Sequence, residues 1–394
     1  MNFHHKGDDI MNYEQYKDTI IAYRRHLHEH PEVSFKEYET AEFIRSKLRE
    51  MKNCEIVELT ETSTVAVFNE GQGKKIGLRA DIDALPVTEQ RDEFEFISQN
   101  EGVMHACGHD GHTAVLLGAA HYFNDYIETI PNEVHCIFQH AEELIPGGAR
   151  EMVATGYFDD FDFIYGHHLW TQLELGLIDI KEGPASANSD IYHITIKGRG
   201  GHSSMPEKAI DSLVLGAQFV NALQTIVSRQ VYPFDPVVVS NTIFQAGTFG
   251  AENVIADKVE LGGSVRTTTE ENRKLVMDQM ERLLKTTCDS VGAAYELDYL
   301  VGYDSVYNDP EQTRWVKQLA ETYFPGKVVT RDPMMGGEDF SAFSNIVPSA
   351  YAFIGAGQAE GEYDRPHHHP RFALNEEAFE MAFDMFTEVA KHYK

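Results

Sequence analysis

The chain has 394 residues, enough for roughly two or three domains. With 42% apolar and 24% charged residues it has the composition of a globular protein with a large core, which excludes disorder, fibres and disulfide scaffolds. Lys and Arg total 33 against 63 Asp and Glu, a formal charge of -30, and such a surface repels phosphate at long range, arguing against nucleic acid and anionic membrane as partners.

In chain order, Met1 to Ile10 has no apolar run of the roughly 7 to 15 residues that a secretory signal needs. Apolar positions then recur with helical spacing (Tyr16, Ile20, Tyr23, Leu27, then Phe43, Ile44, Leu48). They are broken at His30-Pro31, where proline cannot continue a helix, so two helices are expected. Short apolar runs at 65–68, 75–80, 134–139 and 161–165 read as strands, and 113–126 reads as a helix between them. This alternation predicts an α/β domain with a buried mixed sheet, in which ligands bind at the carboxyl ends of strands.

From about residue 184 the order becomes strand (191–198), helix (209–227), strand (237–246), strand (258–267), helix (270–291), strand (294–301). That β-α-β-β-α-β order is ferredoxin-like, an α+β unit inserted into the first domain. The expected division is a catalytic domain of residues 1–183 and 303–394 around an insert of 184–302. No segment reaches the roughly 18 apolar residues of a membrane span. The four cysteines, Cys54, Cys107, Cys136 and Cys288, are too scattered for a disulfide framework, so a reducing cytoplasm is expected.

Five polar clusters carry chemistry. Asp81-Ile-Asp83 closes the strand 75–80 with two carboxylates on one face, which repel unless a cation or Arg79 lies between them. Cys107-Gly-His109 would present a thiolate and an imidazole from an extended loop, both good zinc ligands. Glu142-Glu143 follows the strand 134–139, where adjacent side chains project to opposite sides, one to a metal and the other to the attacking water. Gly166-His167-His168 follows 161–165 at another strand end, and His367-His368-His369-Pro370 stands near the carboxyl terminus. Each cluster alone has a bland reading as capping, solvated or core residues. Together they are the donor types that a metal site assembled from distant loops requires. The chain has no H-E-x-x-H, G-x-S-x-G or G-x-x-x-x-G-K, so serine hydrolase and nucleotide-dependent readings lack their anchors.

From about Tyr13 onward the sequence resembles the aminoacylase and glutamate-carboxypeptidase family of di-metal hydrolases. The likeness is to the branch of hippurate hydrolases, auxin-conjugate amidohydrolases and related bacterial peptidases. It rests on Arg25-His-Leu-His28-Glu-His-Pro31-Glu32, Arg79-Ala-Asp81-Ile-Asp83-Ala-Leu-Pro86, Cys107-Gly-His109-Asp110-Gly-His112, Glu142-Glu143, Gly198-x-Gly-Gly-His202-x-x-x-Pro206, Asn253-Val-Ile, Glu338-Asp339-Phe340 and His368-His369-Pro370-x-Phe372. The resemblance implies two divalent metal ions per subunit, zinc with manganese or cobalt as alternatives, bound by Cys107, His109, Glu143, His168 and His368. His168 and His368 are chosen over their histidine neighbours by the family's G-x-H and H-x-P spacings.

It further implies that Glu142 is the general base, that Asp83 orients a ligand, and that the insert is a dimerisation and lid domain. His202 would stabilise the oxyanion in a partner subunit's site, and Asn253 and Arg266 would bind substrate. For Arg266 the plain alternative is a strand-edge surface charge. The expected function is metal-dependent hydrolysis of an amide bond in N-acyl amino acids or peptides, by a homodimer or higher homo-oligomer. A broad-specificity metallopeptidase on longer peptides is the nearer alternative and a non-catalytic binding protein the remote one. This sequence departs from the family at His140, at one extra residue between Glu143 and Gly147, and at Ala256, which bears on substrate preference more than on chemistry.

Overall fold

Pro31 ends the first helix where the pattern places the break: α1 (Asn12–Glu29) precedes it and α2 (Tyr38–Leu48) follows. The computed structural model describes residues 12–91, 95–357 and 365–394, and the Met1 to Ile10 stretch lies outside the described residues. β1 (Glu55–Val57), β2 (Thr64–Phe68) and β3 (Lys75–Asp81) lead to α3 (His109–Asp125). Nearly every residue of α3 from His109 to Phe123 is buried, as expected of an Ala- and Leu-rich helix covered on all sides. β4 (Glu133–Gln139), the short α4 (Gly148–Val153), β5 (Phe163–Glu174) and β6 (Ile178–Ile180) complete this stretch. β5 runs well past the expected end at Tyr165, because its apolar alternation continues through Leu169 and Leu173.

The chain divides into two compact units. One comprises residues 186–305 and 333–338 and holds β7 (Asn188–Lys197), α5 (Ser212–Arg229), β8 (Val237–Ala246), β9 (Lys258–Thr267), α6 (Glu270–Asp289) and β10 (Ala294–Tyr303). Its antiparallel sheet has the order β8-β9-β7-β10, the ferredoxin-like arrangement. Both helices lay an apolar stripe on it, Phe219, Leu223 and Ile226 from α5 and Val276, Met280 and Leu284 from α6. The N-caps are built by side chains: Asp211 accepts from the N–H groups of Leu213 and Val214, and Thr269 from that of Asn272.

The other unit comprises residues 1–185, 306–332 and 339–394. To the elements before the insert it adds α7 (Pro310–Tyr323), β11 (Val328–Val329), α8 (Ser341–Ser344), β12 (Ser349–Gly357) and α9 (Ala378–His392). Its eight-stranded mixed sheet has the order β1-β2-β4-β3-β5-β12-β6-β11. The central run β4, β3, β5, β12 is parallel, and β12 pairs antiparallel with β6. All nine residues of β12 are buried, and the central strands carry the large side chains of the core, each contributing about 1.5–3 kcal/mol on burial.

Candidate metal centre

All residues expected to bind metal lie in the eight-stranded unit. Cys107 and His109 are separated by Gly108, whose φ of +96 only glycine adopts without strain. The chain reverses there and α3 begins at His109, so the expectation of an extended loop is corrected. The reversal still brings the two side chains together: one ligand atom each from Cys107, His109 and His168 lie within 4.8 Å of one another, all buried.

Hydrogen bonding of the ring nitrogens sorts the histidines. His109 Nδ1 lies 3.1 Å from Asp83 Oδ1, so that nitrogen carries a proton, and Nε2 has no hydrogen-bond partner among the described residues. His168 Nδ1 donates to the Leu169 carbonyl at 2.9 Å, which leaves Nε2 as an acceptor facing the Cys107 thiol at 3.5 Å. His112 is different: Nδ1 meets Asp81 at 2.6 Å and Nε2 accepts the Leu169 N–H at 2.9 Å, so both nitrogens are occupied. His168 does not stand at a strand end, as expected, but within β5. There, alternation turns it toward Cys107 and turns His167 to the opposite face, against Phe386 at 4.1 Å between ring centroids.

The three consecutive histidines near the carboxyl end also separate. His368, at φ +67, places Nε2 3.2 Å from Glu143 Oε1, and Cys107, Glu143 and His368 form another group of ligand atoms within 4.8 Å. His367 stacks on Trp170 at 4.2 Å, accepts the Thr171 N–H at Nε2 and turns Nδ1 to the Cys107 carbonyl at 3.2 Å. His369 Nδ1 accepts the Arg371 N–H.

Glu142 and Glu143 do not project to opposite sides. β4 ends at Gln139, and Ala141, at φ +51, turns the chain so that both carboxylates come within 4.8 Å of His109. Asp83 Oδ2 holds this turn through the Glu143 N–H at 3.0 Å. Asp81 takes Arg79 Nη1 at 2.7 Å on Oδ2, the oxygen that also stands 3.8 Å from His109 Nε2, and Arg79 also reaches Asp339 and Gln139 in a buried network.

The donors fit a divalent cation. His109 Nε2 is buried with no hydrogen-bond partner among the described residues, and Glu143 Oε1 also makes no hydrogen bond. Burial alone would lower the pKa of His109, but Asp81, Asp83 and Glu143 overcome it and push it up to about 10, so the pocket strongly favours positive charge. Burial, reinforced by Glu143 and Glu142, holds the Cys107 thiol well above its ordinary range, and only a cation among these groups makes it a thiolate. Two imidazoles, a thiolate and carboxylates suit a borderline-soft ion such as zinc.

In the other unit, Gly201–His202 pairs with Val254–Ile255 at the edge of a groove lined by His202, Gln245, Thr248, Asn253 and Ile255. His202 is exposed, and its Nδ1 accepts the Ser204 N–H at 3.1 Å, so the neutral ring keeps its proton on Nε2 as an outward donor. Arg266 stands on β9 between β8 and β7, not on an edge strand, and its guanidinium contacts the Ser189 hydroxyl.

Two features went unread in the sequence. One is a buried relay behind α3, in which Asp110 takes His28 Nδ1 at 2.7 Å and Arg24 Nε at 3.1 Å. The H-x-H28 and C-G-H-D110 motifs were visible, but nothing in their spacing couples residues so far apart. The other is Glu37, a buried carboxylate under the turn that carries Glu142.

Residues 77–392 match the family described as Peptidase family M20/M25/M40. An N-acyl-L-amino acid amidohydrolase of Geobacillus stearothermophilus is 48% identical over 299 residues, 76% of this chain and 80% of that protein. Thermostable carboxypeptidase 1 of Saccharolobus solfataricus is 35% identical over 370 residues, 93% of each chain. Among solved structures, a dinuclear metal binding peptidase of the M20 family from Bacillus subtilis superposes with a TM-score of 0.82 at 34% identity, covering 96% of this chain and 98% of that one.

Proposed function

Starting from the fact that the chain belongs to the M20/M25/M40 peptidase family, we propose that it hydrolyses the amide bond of N-acyl amino acids, with Glu142 as general base. It is a metal-dependent amide hydrolase, an activity that its amidohydrolase and carboxypeptidase relatives share. The observation that carries the site assignment is the cluster of Cys107, His109 and His168 ligand atoms within 4.8 Å of one another, with Asp83 and the Leu169 carbonyl holding the Nδ1 of the two histidines. Two divalent ions, which we take to be zinc, held by Cys107, His109, Glu143, His168 and His368 would polarise the scissile carbonyl and lower the pKa of water toward about 7.

The protein supplies the rest. Glu142 takes a proton from the attacking water as its oxygen bonds to the carbonyl carbon, then passes that proton to the nitrogen as the C–N bond breaks, leaving a carboxylic acid, which keeps the water's other proton until it ionises, and an amine. Asp83 keeps the His109 proton on Nδ1 throughout. We assign His202, whose outward Nε2–H suits an oxyanion, to the site of a partner subunit in a homodimer formed through the insert. Asn253 and Arg266 would take the substrate carboxylate, for which a guanidinium offers paired donors.

A thiolate ligand must stay reduced, which supports a cytoplasmic location; among the described residues no helix is long and apolar enough to cross a membrane. Kinetics with zinc- or manganese-reconstituted protein on N-acetyl, N-benzoyl and indole-acetyl amino acids and on di- to hexapeptides test the reading. An acyl amino acid should have the highest kcat/KM, and a preference for the longer peptides would replace it with a broad metallopeptidase.

A further inference from the structure

Glu37 is fully buried at the start of α2, and its carboxylate joins two turns that are distant in sequence. Oε1 accepts the backbone N–H of Phe35 at 3.0 Å and that of Ala141 at 2.8 Å, while Oε2 accepts the Thr62 hydroxyl at 3.2 Å. Both backbone donors belong to left-handed residues, Phe35 at φ +63 and Ala141 at φ +51, among only four such non-glycine residues in the described chain. A side chain with a Cβ avoids this region unless its surroundings impose it.

Ala141 is gripped from the other side as well. Its carbonyl accepts the Gly148 N–H at 2.9 Å, and a Cβ added at Gly148 would lie 2.0 Å from the His140 carbonyl oxygen, so the loop is closed as tightly as backbone permits. The residue after Ala141 is Glu142. Whichever way the Ala141 peptide faces sets the direction of that carboxylate, and the left-handed turn is what brings Glu142 and Glu143 jointly to His109.

We infer that Glu37 is a positioning residue for Glu142, its carboxylate holding Ala141 in the left-handed conformation that aims the general base. This rests on the reading of Glu142 as that base. A role in stability alone would lower the melting temperature and leave turnover per metal-loaded site intact.

The test uses metal-loaded enzyme and the best substrate of the acyl amino acid and peptide panel, with kcat, KM, metal content and melting temperature measured on each variant. Glu37→Ala should lower kcat about 10- to 100-fold, the scale of a misplaced catalytic group, with KM and metal content within about twofold. Glu37→Asp, which keeps a buried carboxylate but draws it back from Ala141, should show the same split and stands in if the alanine variant does not fold. Glu37→Gln retains an acceptor oxygen for both N–H groups and should stay within about threefold of wild type.

Adding Ala141→Gly to Glu37→Ala should recover about tenfold in kcat, because glycine enters the left-handed region without a Cβ penalty. Wild-type kcat in both Glu37→Ala and Glu37→Asp, alongside an inactive Glu142→Gln, overturns the inference alone. An active Glu142→Gln overturns the base assignment beneath it. Loss of metal in step with kcat would make Glu37 a structural residue and also overturn the inference.

Discussion

The Asp83 carboxylate holds His109 from behind, Oδ1 to Nδ1 at 3.1 Å, and with its other oxygen holds the backbone of Glu143 at 3.0 Å and the Ser34 hydroxyl at 2.6 Å. One side chain therefore sets the tautomer of one donor and the position of another. Burial alone would raise the pKa of Asp83, but the hydrogen bonds from His109 and Ser34 hold it below its ordinary value, so it remains an acceptor.

From this follows the first expectation: Asp83→Ala should weaken metal binding about 10- to 100-fold, as removal of a carboxylate behind a ligating histidine usually does. Competition with a chromophoric chelator measures it directly. Unchanged affinity would mean that His109 is oriented without Asp83 or is not a ligand.

Dialysis against a strong chelator should abolish turnover, and zinc or manganese should restore it. Full turnover by protein that elemental analysis finds metal-free would refute the central reading.

Glu142→Gln should keep metal and fold but lose roughly 100-fold or more in kcat, the loss expected with a general base. Glu143→Gln should lose metal instead. Equal metal retention in both variants would dissolve the division between base and ligand.

The assignment of His202 to a partner subunit has its own test. Glu142→Ala and His202→Ala are each expected to be inactive. After subunit exchange in an equal mixture, half the dimers are mixed and each holds one intact site, so about a quarter of wild-type activity should return. Exchange verified by mass with no recovery would confine His202 to its own subunit or to a structural role.

The last expectation concerns stability. On α9, burial pushes Asp384 up to about 7, with Glu380 and Glu388 adding to the shift and Lys391 opposing it. Between its ordinary value near 3.8 and about 7 the folded chain binds a proton that the unfolded chain has lost, so this contribution is fully present at low pH and disappears as pH rises toward 7. Asp384→Asn, which never ionises, should gain on wild type by about 1–3 kcal/mol between pH 5 and pH 7.5, a few degrees in melting temperature. A difference between the two proteins that does not change with pH would contradict the argument.

What could be read from sequence follows from how each signal is written. The strands at 237–246 and 258–267 appear with the bounds expected of them, because β-branched residues alternate between clear turn residues. β12 (Ser349–Gly357) is not among the expected strands, although Ala350 to Ile354 is a five-residue apolar run; its small Ala and Gly residues fit the crowded middle of a parallel sheet. In the site, residue types were legible and directions were not. Alternation past Gln139 predicted diverging glutamates, and the left-handed Ala141 reverses that geometry through a hydrogen bond to Glu37, 104 positions away, which no local pattern encodes. The paired nitrogens of His112 likewise depend on Asp81 and on the backbone of Leu169, both remote in sequence.

The place of β12 between β5 and β6 has a consequence for how the protein is made. A ribosome releases β5 and β6 and then the whole insert before the strand that joins them exists. At about 5–20 residues per second the gap lasts roughly ten to thirty seconds. Throughout that interval a nascent chain carries an open, apolar sheet edge, while the insert, contiguous but for residues 333–338, has nearly all it needs to fold. Yield in a foreign host should therefore depend on chaperones that shield the waiting edge, and on cool, slow growth. Fragments ending before residue 349 should be recovered as aggregates.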